Sequence, residues 1–115
     1  MYTAKTTFSV SAAHRLKLDY ESPCQSLHGH NWKITVICQA EQLDKNGMVV
    51  DFRYIKHQVH DVLDHSVIND YFDEYQGGLN PTAENMAHWI CELIGPECKR
   101  VEVQETEGNV AIYER

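Results

Sequence analysis

The tripeptide His28-Gly29-His30 constrains this 115-residue chain more than any other feature. It heads a stretch in which Trp32, Ile34, Val36 and Cys38 occupy alternate positions. Such alternation marks a strand with one buried face, and residues two apart on a strand point to the same side. Phe8, Val10 and Ala12 follow the same pattern earlier in the chain, and their series ends on His14. If the two stretches pair as a hairpin across the irregular 15–27 segment, His14 arrives beside His28 and His30. Neutral imidazoles suit zinc, with bonds of roughly 2.0–2.1 Å. Protein ligands numbering only three leave a fourth position open, which is the arrangement of catalytic rather than structural sites. Seven histidines in a chain of this length make close pairs by chance, so the argument rests on His14 closing a strand. His57, His60 and His88 fall at polar-face positions of helices and read as solvated.

The remaining pattern predicts the order ββααββ in one domain, 1–115. Asp44-Lys45-Asn46-Gly47 reads as a turn. Asp51 then caps a helix whose stripe is Phe52, Ile55, Val59, Val62 and Leu63. Residues 66–80 are polar and irregular and read as a long surface loop. A second helix starts near Asn80-Pro81-Thr82, with Pro81 suited to its first turn, carries Met86, Ile90 and Leu93, and stops at Gly95-Pro96. Val101 and Val103 open a third strand, and Val110 to Tyr113 form a fourth after the Glu107-Gly108-Asn109 turn. The expected architecture is α+β: an antiparallel four-stranded sheet with two helices on one face.

A formal net charge of −7 argues against a general nucleic-acid binder. It leaves room for a small anionic ligand near Arg15, Lys17 and Lys33, because charges act within a Debye length. Cys24, Cys38, Cys91 and Cys98 show no CxxC spacing, so a cysteine zinc ribbon is not expected. No apolar run has the length of a signal peptide or of a membrane span, which predicts a cytoplasmic chain with free thiols.

Further groups could carry proton chemistry. Cys24 lies in a polar loop four residues before His28, where a nearby cation could make it a thiolate base; the alternative is a small buried hydrophobe, which suits Cys38, Cys91 and Cys98 better. Asp64-His65 is a carboxylate–imidazole pair, or simply a histidine at a helix C-terminus. Glu105 shares the parity of Val101 and Val103 and so points to the covered face, where a carboxylate needs a partner. A ligand edge with two adjacent N–H donors would supply one, and so would an Arg or Lys.

Taken together, FSVSAAH (Phe8 to His14), CQSLHGH (Cys24 to His30), LDH (Leu63 to His65), PTAEN (Pro81 to Asn85) and Glu105-Thr106 resemble the 6-pyruvoyltetrahydropterin synthase family over essentially the whole chain. The spacing from Cys24 to His28 is similar to that of its bacterial 6-carboxytetrahydropterin synthase branch, which belongs to queuosine biosynthesis. The resemblance implies the tunnelling fold, in homo-oligomers of trimers stacked into hexamers with sites between subunits. It implies 7,8-dihydroneopterin triphosphate as substrate, and 6-carboxytetrahydropterin, acetaldehyde and triphosphate as products. It makes His14, His28 and His30 zinc ligands, Cys24 a base, Asp64 and His65 a proton relay, and Glu105 the pterin anchor and a member of that relay. Thr82 and Glu84 match a motif near the pterin pocket, and the triphosphate is expected to meet Arg15, Lys17, Lys33 or Arg53. The rival readings are a 6-pyruvoyl enzyme, a metal-water hydrolase, and a non-catalytic metal- or pterin-binding module, which would have no use for Cys24, Asp64 and His65 together.

Overall fold

Strands β1 (Tyr2–His14) and β2 (His28–Ala40) are each 13 residues long in the computed structural model, which describes residues 1–115 throughout. They pair antiparallel without interruption, from Tyr2 opposite Ala40 to His14 opposite His28. At a rise of about 3.3 Å per residue such strands are roughly 40 Å long. They set the long axis of a molecule measuring 51 × 25 × 23 Å.

Strand β4 (Cys98–Thr106) pairs antiparallel with β2, and β5 (Asn109–Glu114) with β4. A short β3 (Ser66–Val67) adds to the other side of β1, parallel, at Ala12 and Ala13. The sheet is therefore five-stranded and mixed, in the order β3-β1-β2-β4-β5. This corrects the expected four-stranded antiparallel sheet. Two residues between a helix and a following helix give too little pattern to mark a strand.

The helical layer covers one face. Helix α1 runs over 52–63 in three consecutive pieces: α-helical Phe52–Ile55, π-helical Lys56–His60 and α-helical Asp61–Leu63. Asp51 caps it as expected, its side chain accepting from Arg53 N. Ile55, Val59 and Leu63 are buried, but Phe52 is exposed and Val62 only half-buried. Phe52 is the first residue of the helix, and for Val62 the π turn is the reason: an i→i+5 turn rotates the rest of the helix out of phase with a 3.6-residue stripe. Helices α2 (Ile68–Tyr75) and α3 (Ala83–Ile94) complete the layer. The α2 helix replaces the expected 66–80 loop. Ile68 and Phe72 are fully buried and Tyr71 packs on the core, a helical spacing masked by Asn69, Asp70, Asp73 and Glu74. In α3, Thr82 is the cap and accepts from Asn85 N, so Pro81 precedes the cap rather than filling the first turn. Gly95 ends the helix at φ 121°, which only glycine adopts freely.

Val10, Trp32, Ile34, Val36, Val101 and Val103 meet these helices on the inner face. Cys38, Cys91 and Cys98 lie buried there too, free of disulfides, as small hydrophobes. Burial pushes the Cys91 thiol up to about 11, so it stays protonated. The other sheet face has no helical cover and is polar, with Thr7 and Thr35 hydroxyls 3.1 Å apart and Ser11 Oγ donating to Asn31.

Phe72→Ala should cost about 3–5 kcal/mol, as for a large aromatic removed from a closed core, and urea unfolding measures it. A cost below roughly 1 kcal/mol would mean that α2 does not belong to the core.

Candidate metal centre

The hairpin register puts His14 directly opposite His28, with Ala12 opposite His30. The three imidazoles share the inner face, with centroids 4.6 Å (His14–His28), 4.9 Å (His28–His30) and 5.4 Å (His14–His30) apart. Trp32 forms their floor. Its ring lies edge-on to His14 at 4.8 Å and to His30 at 5.1 Å, and its indole N–H donates to Ala12 O. Beyond His14 the chain leaves the sheet, but two asparagine side chains hold it as a strand neighbour would. Asn69 bonds both the N–H and the C=O of Arg15, and Asn80 does the same for Lys17. Neither asparagine was foreseen from sequence. A side-chain amide that mimics a backbone group leaves no periodic signal.

The tautomers follow from the neighbours. His14 Nδ1 lies 2.8 Å from Pro81 O, and His28 Nδ1 lies 2.7 Å from Ser26 O. A carbonyl can only accept, so both rings carry the proton on Nδ1 and present Nε2 as a bare lone pair. Nε2 of His14 and of His30 is buried and has no hydrogen-bond partner. Orphaned nitrogens of this kind cost free energy unless something else satisfies them. Burial holds the His14 pKa below its ordinary value, with the bond to Pro81 opposing that shift, so the ring is neutral and able to ligate.

Glu105 completes the cluster. Residue 105 sits where the β4–β5 register shifts, between Gln104 opposite Val110 and Thr106 opposite Asn109. It keeps the inward parity of Val101 and Val103, and its carboxylate faces the histidines. Oε1 is 2.8 Å from His30 Nε2, out of line for a hydrogen bond, and 3.8 Å from His14 Nε2. One donor atom from each of His14, His28, His30 and Glu105 falls within 4.8 Å of the others, so the group could hold one metal ion. The expectation that Glu105 faces the covered side is met, and its partner in the free protein is a histidine rather than an Arg or Lys.

Other expected site residues lie around this cluster in different places. Glu105 and Glu84 line one depression of about 430 Å³ with Ala83, Asn109 and Val110. The Thr82 hydroxyl is engaged in capping α3. Cys24 lies half-buried in a short 3₁₀ turn, Pro23–Gln25, whose cap is Ser22, and its carbonyl accepts from Leu16 N. Its thiol is not among the clustered donors. Asp64 and His65 are pinned to β1 instead. Asp64 Oδ1 accepts from Ser11 N at 2.9 Å, and His65 N donates to Ser11 O at 2.6 Å. His65 has φ 60° and an exposed ring, and lines a second depression with Ser11, Gly29, His30, Asn31 and Ser66.

The model of the family described as 6-pyruvoyl tetrahydropterin synthase matches residues 3–115. The chain belongs to that family. A 6-carboxy-5,6,7,8-tetrahydropterin synthase of Bacillus subtilis (strain 168) is 30% identical over 115 residues, covering 90% of this chain and 79% of that protein. A dihydroneopterin monophosphate aldolase of Pyrococcus furiosus is 38% identical over 89 residues, covering 75% and 68%. The structure of Caenorhabditis elegans 6-pyruvoyl tetrahydropterin synthase matches with a TM-score of 0.76 at 26% identity, covering 99% of this chain and 95% of that one. The fold is thus the α+β tunnelling fold expected of a 6-pyruvoyl tetrahydropterin synthase family member, with the sheet order given above. No helix is long and apolar enough to cross a membrane.

The lowered His14 pKa predicts a pH dependence for metal-free protein. The folded state binds the proton less readily than an unfolded histidine, at 6.5, so the contribution is fully present above that value and is lost as pH falls below it. The melting temperature of chelator-treated protein should drop on acidification, and the drop should be shallower in His14→Gln. Equal slopes in the two proteins would show that His14 is not the group responsible.

Proposed function

We propose that this chain is a zinc-dependent carbon–carbon lyase that converts 7,8-dihydroneopterin triphosphate to 6-carboxy-5,6,7,8-tetrahydropterin, acetaldehyde and triphosphate, a step of queuosine (7-deazaguanine) biosynthesis. The observation that carries the reading is the convergence of His14, His28 and His30 beside the depression that Glu84 and Glu105 line. Relatives named as a 6-carboxy-5,6,7,8-tetrahydropterin synthase and as a dihydroneopterin monophosphate aldolase support this substrate class and favour carbon–carbon cleavage. The donor set fits zinc: neutral imidazoles with bare Nε2 lone pairs, each of two oriented by a carbonyl on its other nitrogen. Zinc bound there supplies a Lewis acid that stabilises charge developing on the side-chain oxygens of the substrate.

The chain's own groups do the rest. Glu105 anchors the pterin, whose ring N–H and exocyclic amine form two parallel charge-assisted bonds to a carboxylate. In the free protein that carboxylate rests against His30. Pterin binding would draw it away from the cluster, and His14, His28 and His30 would be the residues that hold the metal. Glu84 shares the depression and Thr82 fixes the helix end beside it. Cys24 is the base, and His65, backed by Asp64, returns or relays the proton. Arg15, Lys17, Lys33 and Arg53 supply the positive charge for the triphosphate.

The His65 ring lines a different depression from Glu84 and Glu105, and the Cys24 thiol is not among the clustered donors, which supports sites built between subunits of a trimer-based homo-oligomer, doubled as a hexamer. The unpaired edge of β5, with Val110 and Ile112 about half exposed, supports edge-to-edge assembly. The cell compartment that fits such a biosynthetic step is the cytoplasm. The second reading is elimination of triphosphate to a 6-pyruvoyl product, which the name of the Caenorhabditis elegans neighbour favours.

Zinc-loaded protein incubated with 7,8-dihydroneopterin triphosphate should release acetaldehyde and a 6-carboxypterin, identified by mass spectrometry. A 6-pyruvoyl product selects the second reading, and no turnover leaves a binding module. Cys24→Ala should lose at least 100-fold in turnover, roughly the value of a positioned acid–base group, and keep its metal. Glu105→Ala should weaken pterin affinity by about tenfold or more, the cost of a charge-assisted pair, while zinc content by elemental analysis stays at one per chain. Unchanged pterin affinity in a titration would remove Glu105 from its anchoring role.

A further inference from the structure

Past His14 the chain stays extended although β1 has ended. Asn69 Oδ1 accepts from Arg15 N at 2.9 Å, and its Nδ2 donates to Arg15 O at 2.9 Å. Asn80 does the same for Lys17, at 2.8 and 2.7 Å. Between them Leu16 N turns the other way and donates to Cys24 O at 2.9 Å. Bonds that alternate from edge to edge are the pattern of a strand, in which side chains two apart share a face. Burial follows the same rhythm: Arg15 and Lys17 are exposed, Leu16 and Leu18 half-buried. The two cations therefore project together, with the parity of Ser11 and Ala13, from Cα atoms about 6–7 Å apart.

Both clamps are anchored in the helical layer. Asn69 is the second residue of α2 and is buried, with both ends of its amide committed to Arg15. Asn80 lies just before the Thr82 cap of α3, and its own carbonyl accepts from Asn85 Nδ2. The next residue, Pro81, orients His14 through its carbonyl. Residues 80 and 81 thus hold an imidazole of the metal cluster and the backbone of Lys17 at once. The heads of Arg15 and Lys17 bond no group of the chain, whereas Arg100 and Arg115 pair with Glu102, Glu114 and Glu92. A fixed backbone that carries two free cations next to a metal cluster suits an anion. Arg53, by contrast, lines the depression of Thr6 and Phe8, and Phe8 is roughly 20 Å along β1 from His14.

We propose that Asn69 and Asn80 are positioning residues that hold Arg15 and Lys17 as the polyphosphate contact of the site, and so set its preference for a triphosphorylated over an unphosphorylated pterin. A backbone already held in place avoids the entropy loss that ordering a loop around the anion brings. The two heads are complementary. Arg15 offers a planar fork that matches phosphate oxygens, and Lys17 a compact charge with three donors. The identity of the anion as the tail of a pterin triphosphate rests on the lyase reading above; the binding of a polyphosphate at Arg15 and Lys17 does not.

The test is calorimetric titration of the assembled, zinc-loaded protein with inorganic triphosphate, and with 7,8-dihydroneopterin carrying or lacking its triphosphate. Any contact of the anion with zinc is common to all variants and cancels in their ratios. Lys17→Ala should weaken inorganic triphosphate binding by about tenfold, the scale of one charge-assisted hydrogen bond. Asn80→Ala should weaken it by less. In both, zinc content and affinity for unphosphorylated 7,8-dihydroneopterin should stay, and in turnover KM should rise with kcat unchanged. The double variant should bind no more weakly than Lys17→Ala alone, because a clamp has no effect once the head it places is gone. Lys45→Ala, in the turn at the far end of β2, should bind as the unaltered protein does. Unchanged affinity in Lys17→Ala, an equal loss in Lys45→Ala, or additive losses in the double variant overturns the proposal. If Asn80→Ala does not fold, the cycle is run with Asn80→Ser, whose hydroxyl cannot span both backbone groups of Lys17. Triphosphate binding that needs Lys17, without pterin turnover, would sink the lyase reading and leave the polyphosphate contact standing; turnover with no dependence on Lys17 would do the reverse.

Discussion

The uninterrupted backbone ladder between β1 and β2 is the constraint on which the rest depends. Its register, held over 13 residue pairs, brings the last residue of one strand opposite the first of the other, and those residues are His14 and His28. A slip of one residue would turn every side chain of a strand to the other face. Here that would expose Val10, Ala12 and His14 together or Trp32, Ile34, Val36 and Cys38 together. The hydrophobic face therefore protects the register, and the register places the imidazoles. The metal cluster is in this sense a by-product of core packing, placed at the one end of the hairpin where the apolar series gives way to histidine.

That end carries a cost. Bare Nε2 atoms buried beside Trp32, with a carboxylate near but out of line, leave polar groups poorly satisfied in the free protein. The rest of the fold compensates through hydrogen bonds that a helix or strand would not supply. Asn69 and Asn80 clamp the backbone of Arg15 and Lys17, and Pro81 O and Ser26 O orient two imidazoles. Most of these groups lie outside the regular ladder, and they hold the histidine end of the hairpin in place.

A second irregular region lies across β1. The π turn, the two-point attachment of Asp64 and His65 to Ser11, and the left-handed φ of His65 succeed one another within ten residues of α1 and its exit. A non-glycine residue in that conformation is disfavoured by roughly 1–2 kcal/mol, although histidine tolerates it better than β-branched residues. The backbone bond to Ser11 and the start of β3 offset the strain. The result is an imidazole projected away from the inner face, at the sheet edge opposite β5. A single chain thus presents polar groups at two depressions and an open strand at its far side.

Much of this was legible in the chain itself. Strict alternation ending on His14 and starting from His28-Gly29-His30 determined two strands, their inner faces and the histidine set, because a period of two leaves little freedom in where a side chain points. The parity of Val101 and Val103 determined that Glu105 turns inward, and the Asp51 cap announced the first helix. Tertiary structure alone decided the rest. It converted 66–80 from a loop to β3 and α2, because burial of Ile68 and Phe72 outweighs the polar residues around them. It shifted α1 out of phase through a π turn, and with it moved His60 from solvent to Asp61 and the edge of Phe8. It also chose His30 as the neighbour of Glu105 and asparagine amides as the clamps on β1. Periodicity reports which face a residue is on; which atom it meets there depends on contacts between segments far apart in sequence, and no local pattern records them.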